Sequence, residues 1–231
     1  MVGTLDRVVI EAVLFDFSGT LFRLEPDETW DAMVAPDGEH LDQAAILDRI
    51  TRPVGYGARF DAAGRIVWER RDLDPAMHRS AYLEVLRQAG VPTRTVIERI
   101  YDWMVDPLAW TPYPDTGAVL ETLAAHDIPV AVVSNIAFDI RPAFAANGWD
   151  RLVAAHTLSF EVGAVKPDPR IFLAALDQLG VRPESALMVG DSAEADGGAA
   201  VAGCGFALVD PLPTADRAEG LLDVLREHVL A

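Results

Sequence analysis

The residue best placed to do chemistry is an aspartate that ends a short, apolar, β-prone run. Val13-Leu14-Phe15 leads into Asp16-Phe17-Ser18-Gly19-Thr20, so a buried strand would leave Asp16 at its carboxyl end, next to a glycine-containing turn. In open α/β sheets that edge is where ligands bind. A carboxylate there can act as a nucleophile through an aspartyl-phosphate, as a metal ligand, or as both. Three more groups stand at comparable places. Ser134-Asn135 follows the apolar run Val130 to Val133, Lys166-Pro167-Asp168-Pro169 precedes a helical stretch, and Gly190-Asp191 closes another apolar run with Asp196 further on. Each is weak alone; their order and shared strand-end position are hard to obtain by accident.

The elements that must position these residues alternate cleanly after Pro112. Helical spacing covers Thr116 to His126, Phe138 to Asn147 (closed by Gly148), Pro169 to Leu179 (stopped by Gly180), Glu194 to Ala202 and Ala215 to Leu230. Between them lie strands over Ile128 to Val133, Leu152 to Leu158, Ala186 to Val189 and Phe206 to Val209. Short apolar strands alternating with helices imply βαβ units and a parallel sheet. Residues 24–108 differ: helical periodicity covers Leu41 to Ile50, Ala76 to Gln88 and Thr95 to Met104, with one strand-like stretch, Arg65-Ile66-Val67-Trp68. Loop signals separate these at Pro53 to Gly57, Asp61 to Gly64 and Gly90 to Pro92. The expected architecture is a Rossmann-like α/β core with a parallel sheet from residues 1–23 and 109–231, with an α-helical insert over residues 24–108.

The 231 residues carry a net charge of -17, which argues against a nucleic-acid backbone or an anionic membrane surface as partner. The expected partner is a small molecule, with the chain a monomer or homodimer. Lys166 is the only lysine, so an anionic substrate would need that residue or arginines. Cys204 is the only cysteine; no internal disulfide is possible, and a cytoplasmic location is expected. No signal peptide or membrane span is expected, and His40, His126, His156 and His228 lack zinc-ligand spacing.

At the four strand-end groups the sequence resembles the haloacid dehalogenase superfamily, in the branch whose cap lies between the first and second motifs. The resemblance implies a doubly wound core with a mobile helical cap. It implies that Asp16 is the nucleophile and a Mg²⁺ ligand, with Ser18 lending a backbone carbonyl to the metal, Asp191 binding it, and Asp196 supporting it directly or through water. Ser134 and Lys166 would hold the transferring phosphoryl group, with Asn135, Gly19 and Thr20 beside it. Elementary electrostatics agrees, because phosphoryl transfer is largely positioning and charge neutralisation, and Mg²⁺ prefers carboxylate and carbonyl oxygens.

One residue departs from the pattern. Most phosphatases of this family have a second aspartate where Ser18 stands, and a serine hydroxyl is too weak an acid to replace it. General acid–base catalysis is worth roughly 10²–10⁴-fold, or about 3–5 kcal/mol. Three consequences stay open: a preference for good leaving groups, an acid borrowed from the cap, or a weakened relative that binds a phosphorylated ligand or protein. The phosphonatase branch needs a cap lysine, which is missing. A metal-free 2-haloacid dehalogenase is the enzymatic rival, disfavoured by the presence of Asp191 and Asp196.

Blander roles exist for the same residues. Asp16 could cap a turn with Gly19, Ser134-Asn135 could cap a helix, and Asp196 could be a first-turn acid. Asp139 and Asp168 read as helix caps. In the cap, Trp68, Arg70, Arg71, His78, Arg79 and Tyr82 could face the site, with Arg71 and Arg79 on a second anionic group, although a packed helix face is the simpler reading for most. Trp103, Met104 and Trp110 read as packing residues, and Glu25 to Trp30 as the hinge strip.

Overall fold

The computed structural model describes residues 9–26, 30, 43–51 and 59–230. Its strands, in chain order, are Ala12–Phe15 (β1), Phe22–Leu24 (β2), Trp110–Pro112 (β3), Val130–Ser134 (β4), Ala155–Leu158 (β5), Ala186–Gly190 (β6) and Gly205–Leu208 (β7). Five of them form one parallel sheet in the order β5-β4-β1-β6-β7. Every residue of β1, β4 and β6 is buried, which is why these strands read as unbroken apolar runs: a parallel sheet is covered on both faces.

Side chains alternate faces along a strand, and the core divides accordingly. Val13, Phe15, Val130, Val132, Leu187 and Val189 enter one cluster with Val119, Leu120 and Leu123 of the helix Thr116–Ala125 and Leu221 and Leu225 of the helix Gly220–His228. Leu14, Ala131, Val133, Ala186 and Met188 enter the other, against Ile171, Phe172, Ala175 and Leu176 of the helix Pro169–Leu179. The chain fills one side of β1 through β4 and β5, then the other through β6 and β7. This reversal opens a crevice at the carboxyl ends of β1, β4 and β6.

The helices Gln43–Thr51, Ala62–Glu69, Pro75–Gln88 and Arg94–Val105 lie in sequence between β2 and β3. β2 and β3 pair antiparallel, with Leu24 opposite Trp110, so the chain leaves and re-enters the core at one place. This pair is not legible in the sequence, since three residues a side are too few for a readable alternation. The expected helices at 76–88 and 95–104 form with nearly the expected limits. The expected helix Leu41 to Ile50 is helical from Gln43, its first two residues lying outside the described set, as do Pro53 to Gly57 and residues 27–29 of the strip Glu25 to Trp30.

The helix expected over Phe138 to Asn147 spans only Arg141–Ala146, the strand expected over Leu152 to Leu158 begins at Ala155, and three further expectations differ more. Arg65 to Trp68 is helical, inside Ala62–Glu69, because Asp61, expected in a loop, caps that helix by accepting from the Gly64 amide at 2.8 Å; Trp68 is the buried residue of its inner face. The stretch Glu194 to Ala202 is broken into a 3-10 turn, Asp196–Gly198, and one short helix, Ala199–Ala202. There the Asp196 side chain folds back onto the Ser192 amide and Gly198 presses on Pro167. The last helix begins at Gly220, five residues later than expected, because Arg217 turns inward to the core. Among the described residues no helix is long and apolar enough to cross a membrane.

The last helix is capped from a distance: Asp115 Oδ2 accepts from the Leu221 and Leu222 amides at 2.7 and 3.1 Å. Asp115 is buried, so removing its carboxylate strands two helix-end donors away from water. Asp115→Ala should therefore lose about 1–2 kcal/mol in denaturant unfolding. Asp115→Asn, which keeps an acceptor, should lose less.

Candidate active site

At the mouth of the crevice is a cavity of about 230 Å³ whose wall includes Asp16, Ser18, Ser134, Asn135, Lys166, Asp191 and Asp196. Asp16 directly follows β1, Ser134 is the last residue of β4, and Asp191 directly follows β6. Seven of the nine residues singled out in the sequence thus meet at one cavity. The other two, Gly19 and Thr20, lie behind its wall. Gly19 has φ +79° and no room for a Cβ, which would run into the Asp191 carboxylate; only glycine lets the turn approach so closely. Thr20 is fully buried.

Lys166 holds the acids together. Its Nζ donates to Asp16 Oδ1 and to Asp196 Oδ1, each at 2.6 Å, and exposure is only 5% for Lys166, 6% for Asp16 and 1% for Asp196. The second Asp196 oxygen accepts from the Ser192 amide at 2.9 Å. Asp196 therefore spends both oxygens on positioning, and its carboxylate lies so close that Gly190 could carry no side chain. Asn135 locks the lysine from behind: its amide donates to the Lys166 carbonyl at 3.0 Å, and its oxygen accepts from the Lys166 amide at 2.6 Å. The helix-cap alternative for Ser134-Asn135 does not hold, since the next helix begins at Arg141. Asp168 does cap its helix, accepting from the Arg170 amide.

Charge is unbalanced here. Carboxylate oxygens of Asp16, Asp191 and Asp196 lie within 4.8 Å of one another, with one ammonium among them. Burial raises the Asp16 carboxyl to about 7, aided by Asp196 and Asp191 and opposed by Lys166. Burial and Asp196 raise Asp191 to about 6. For Lys166, burial disfavours the charge, but Asp16 and Asp196 outweigh it and hold the ammonium protonated. A hard divalent cation on the Asp16 and Asp191 oxygens would relieve the crowding, and an all-oxygen donor set suits Mg²⁺.

Several residues of the site escape a reading of the sequence. Arg217 donates to the Gly19 carbonyl at 2.7 Å, to the Thr20 carbonyl and to the Asp210 carbonyl at 3.1 Å, with its guanidinium 3.1 Å above the Tyr113 ring. It clamps the turn after Asp16, and its place within a stretch that reads as helix conceals this. The helical segment supplies Ile50, Thr51, Arg71, Asp72, His78, Tyr82 and Met104 to the cavity wall. Arg71, His78 and Tyr82 are among the residues that could be expected to face the site; Asp72 is not, being lost among neighbouring charges. Arg79 points elsewhere, pairing with Glu98 and covering Tyr101.

The pattern of the haloacid dehalogenase-like hydrolases matches residues 10–203. The chain belongs to this family. It is 27% identical over 199 residues to a phosphoglycolate phosphatase of Photorhabdus laumondii, covering 84% of this chain and 78% of that one. It is 29% identical over 224 residues to a ribulose-1,5-bisphosphate 5-phosphatase of Halopiger xanaduensis, covering 90% and 88%. With a phosphoserine phosphatase of Thermus thermophilus it shares 32% over 131 residues, 56% of this chain and only 53% of the relative. A solved dehalogenase superposes with TM-score 0.63 at 23% identity, over 94% and 96% of the two chains. The protein is accordingly a hydrolase of the haloacid dehalogenase-like family with an α/β fold.

Removing Lys166 from this hydrolase leaves two buried carboxylates without a counter-charge. Lys166→Met should cost about 3–5 kcal/mol near neutral pH. Without the ammonium, the folded-state Asp16 pKa rises further above its unfolded value. The native state then binds protons that the unfolded chain has released, and stability falls as pH rises through that window. Thermal unfolding of Lys166→Met should show part of the loss recovered towards about pH 5, with a steeper decline by about pH 8 than the wild type shows.

Proposed function

We propose that this hydrolase is a Mg²⁺-dependent phosphatase of a small phosphorylated metabolite, acting through an aspartyl-phosphate at Asp16. The observation that carries the reading is the junction of Asp16, Lys166 and Asp191 at one strand-end cavity. Lys166 holds Asp16 by its Oδ1, fixing the direction of attack and neutralising part of the charge that meets a phosphate dianion. Ser134, at the end of β4, offers a hydroxyl to the phosphoryl oxygens. Asp16, Asp191 and the Ser18 carbonyl would hold Mg²⁺, with Asp196 behind them; the ion would supply charge neutralisation at the phosphoryl group. The relatives named as phosphatases support the same reaction class.

The same proposal divides the chain into a core, residues 1–23 and 109–231, and a cap, residues 24–108. The exit and return of the chain at the β2–β3 pair, and the cavity shared between the helical segment and the sheet edge, support that division. The single cysteine, Cys204, supports a cytoplasmic setting.

Multiple turnovers of acetyl phosphate and p-nitrophenyl phosphate should require Mg²⁺, stop on chelation and vanish in Asp16→Asn. Chelation should also lower the melting temperature of the wild type, and more at pH 8 than at pH 6, because Asp16 and Asp191 must lose protons to bind the ion. Metal-independent release of halide from a 2-haloacid would favour the dehalogenase reading. Binding of phosphorylated ligands with no turnover at all would favour a non-catalytic relative.

A further inference from the structure

The proposed phosphatase chemistry leaves a proton without a carrier. Ser18 cannot give one to a departing alkoxide, and each core carboxylate at the cavity is already engaged. Asp16 attacks, Asp191 faces the metal position, and Asp196 is bonded to Lys166 and the Ser192 amide. We propose that Asp72, from the inserted helical segment, is the acid that protonates the leaving group and then the base that activates water. The inference rests on the phosphatase reading.

Asp72 sits in the 3-10 turn Arg71–Leu73, which joins the helices Ala62–Glu69 and Pro75–Gln88. It lines the same cavity as Asp16 and Ser18, and among the described residues there it is the one carboxylic acid that comes from the helical segment. Its position is fixed from two sides. The Ser159 hydroxyl, on the core, donates to the Asp72 carbonyl at 2.5 Å, tying the turn to the sheet edge. Arg71 reaches the Asp72 carboxylate at 3.1 Å while donating to the Trp68 carbonyl at 2.8 Å and lying 4.1 Å over the Trp68 ring. A carboxyl so anchored needs no search for its orientation when substrate arrives.

The groups facing Asp72 leave it as the suitable proton carrier. Burial raises its carboxyl to about 6, against the pull of Arg71 and then of Lys166, and Lys166 lines the same cavity. His78, also on the wall, is held at about 3 by burial and by Arg71, so it carries no proton to give near neutrality. Tyr82 is pushed by burial to about 12, too weak an acid to protonate a leaving group efficiently. An acid works best with a pKa near the operating pH.

The two steps balance. As the Asp16 carboxylate oxygen bonds to phosphorus, the ester P–O bond breaks, its electron pair stays on the leaving oxygen, and the Asp72 proton moves there, releasing an alcohol. Water then attacks phosphorus and gives a proton to the Asp72 carboxylate. The Asp16–phosphorus bond breaks, phosphate leaves, and both aspartates return to their starting forms.

The test is Asp72→Asn with Mg²⁺, comparing kcat/KM for an alkyl phosphate, which needs the acid, with that for p-nitrophenyl phosphate, which does not. The variant should lose about 10²–10⁴-fold on the alkyl ester and about tenfold or less on the aryl ester. It should also accumulate phosphorylated protein on acid quench, because the second step lacks its base. Asp72→Asn/Ser18→Asp should recover alkyl turnover, which a merely misfolded variant would not. Equal losses on both esters, no accumulated phosphoprotein, or failure of the double variant would overturn the assignment while leaving the phosphatase reading intact. Absence of wild-type turnover on either ester would overturn both.

Discussion

A single buried ammonium decides what this site can be. Lys166 stands between Asp16 and Asp196 with a 2.6 Å contact to each, and without it the two carboxylates could not share so little water. Taking ions out of solvent costs several kcal/mol each, and attraction repays that only with close, complete hydrogen bonding. Here burial wins at Asp16, whose carboxyl stays well above its ordinary range despite the lysine, while the two aspartates win at Lys166, which keeps its proton. The result is a site in which three carboxylates share one ammonium, a donor set that could hold a cation.

The scaffold holds that arrangement with backbone as much as with side chains. Asn135 grips the lysine's own peptide groups from the end of β4. Arg217 reaches across from beyond β7 to the carbonyls behind Gly19. Gly19 and Gly190 are small because carboxylates occupy the space where their side chains would be. The acids converge because three parallel strands end together at the point where the sheet reverses its winding.

Much of this is legible in the chain itself, for physical reasons. Fully buried parallel strands appear as continuous apolar runs, so β1, β4 and β6 are visible, and each announces its site residue by the abrupt change to a polar group. Pro169 and Gly180 bracket a helix whose limits follow from the sequence to the residue. What cannot be read is whatever depends on distant partners. Arg65 to Trp68 has β-prone residues, yet an Asp61 cap and the burial of Trp68 make it helix. Arg217 looks like a helix surface residue until its target carbonyls, nearly two hundred positions away, are known. Asp72 is one acid in a charged stretch, and only the fold brings it to the wall that Asp16 lines.

The helical segment adds Arg71, Asp72, His78 and Tyr82 to the cavity that Lys166 and three aspartates line. On the proposed reading, the residues at the sheet edge would transfer phosphorus and the inserted helices would handle what is attached to it. The most direct measurement of the core's part is rapid acid quench of the Mg²⁺-loaded protein with acetyl phosphate, followed by peptide mass spectrometry. A transient phosphoryl group is expected on Asp16, formed and lost at rates matching turnover. A phosphoryl group on another residue, or turnover with Asp16 never modified, would contradict that expectation.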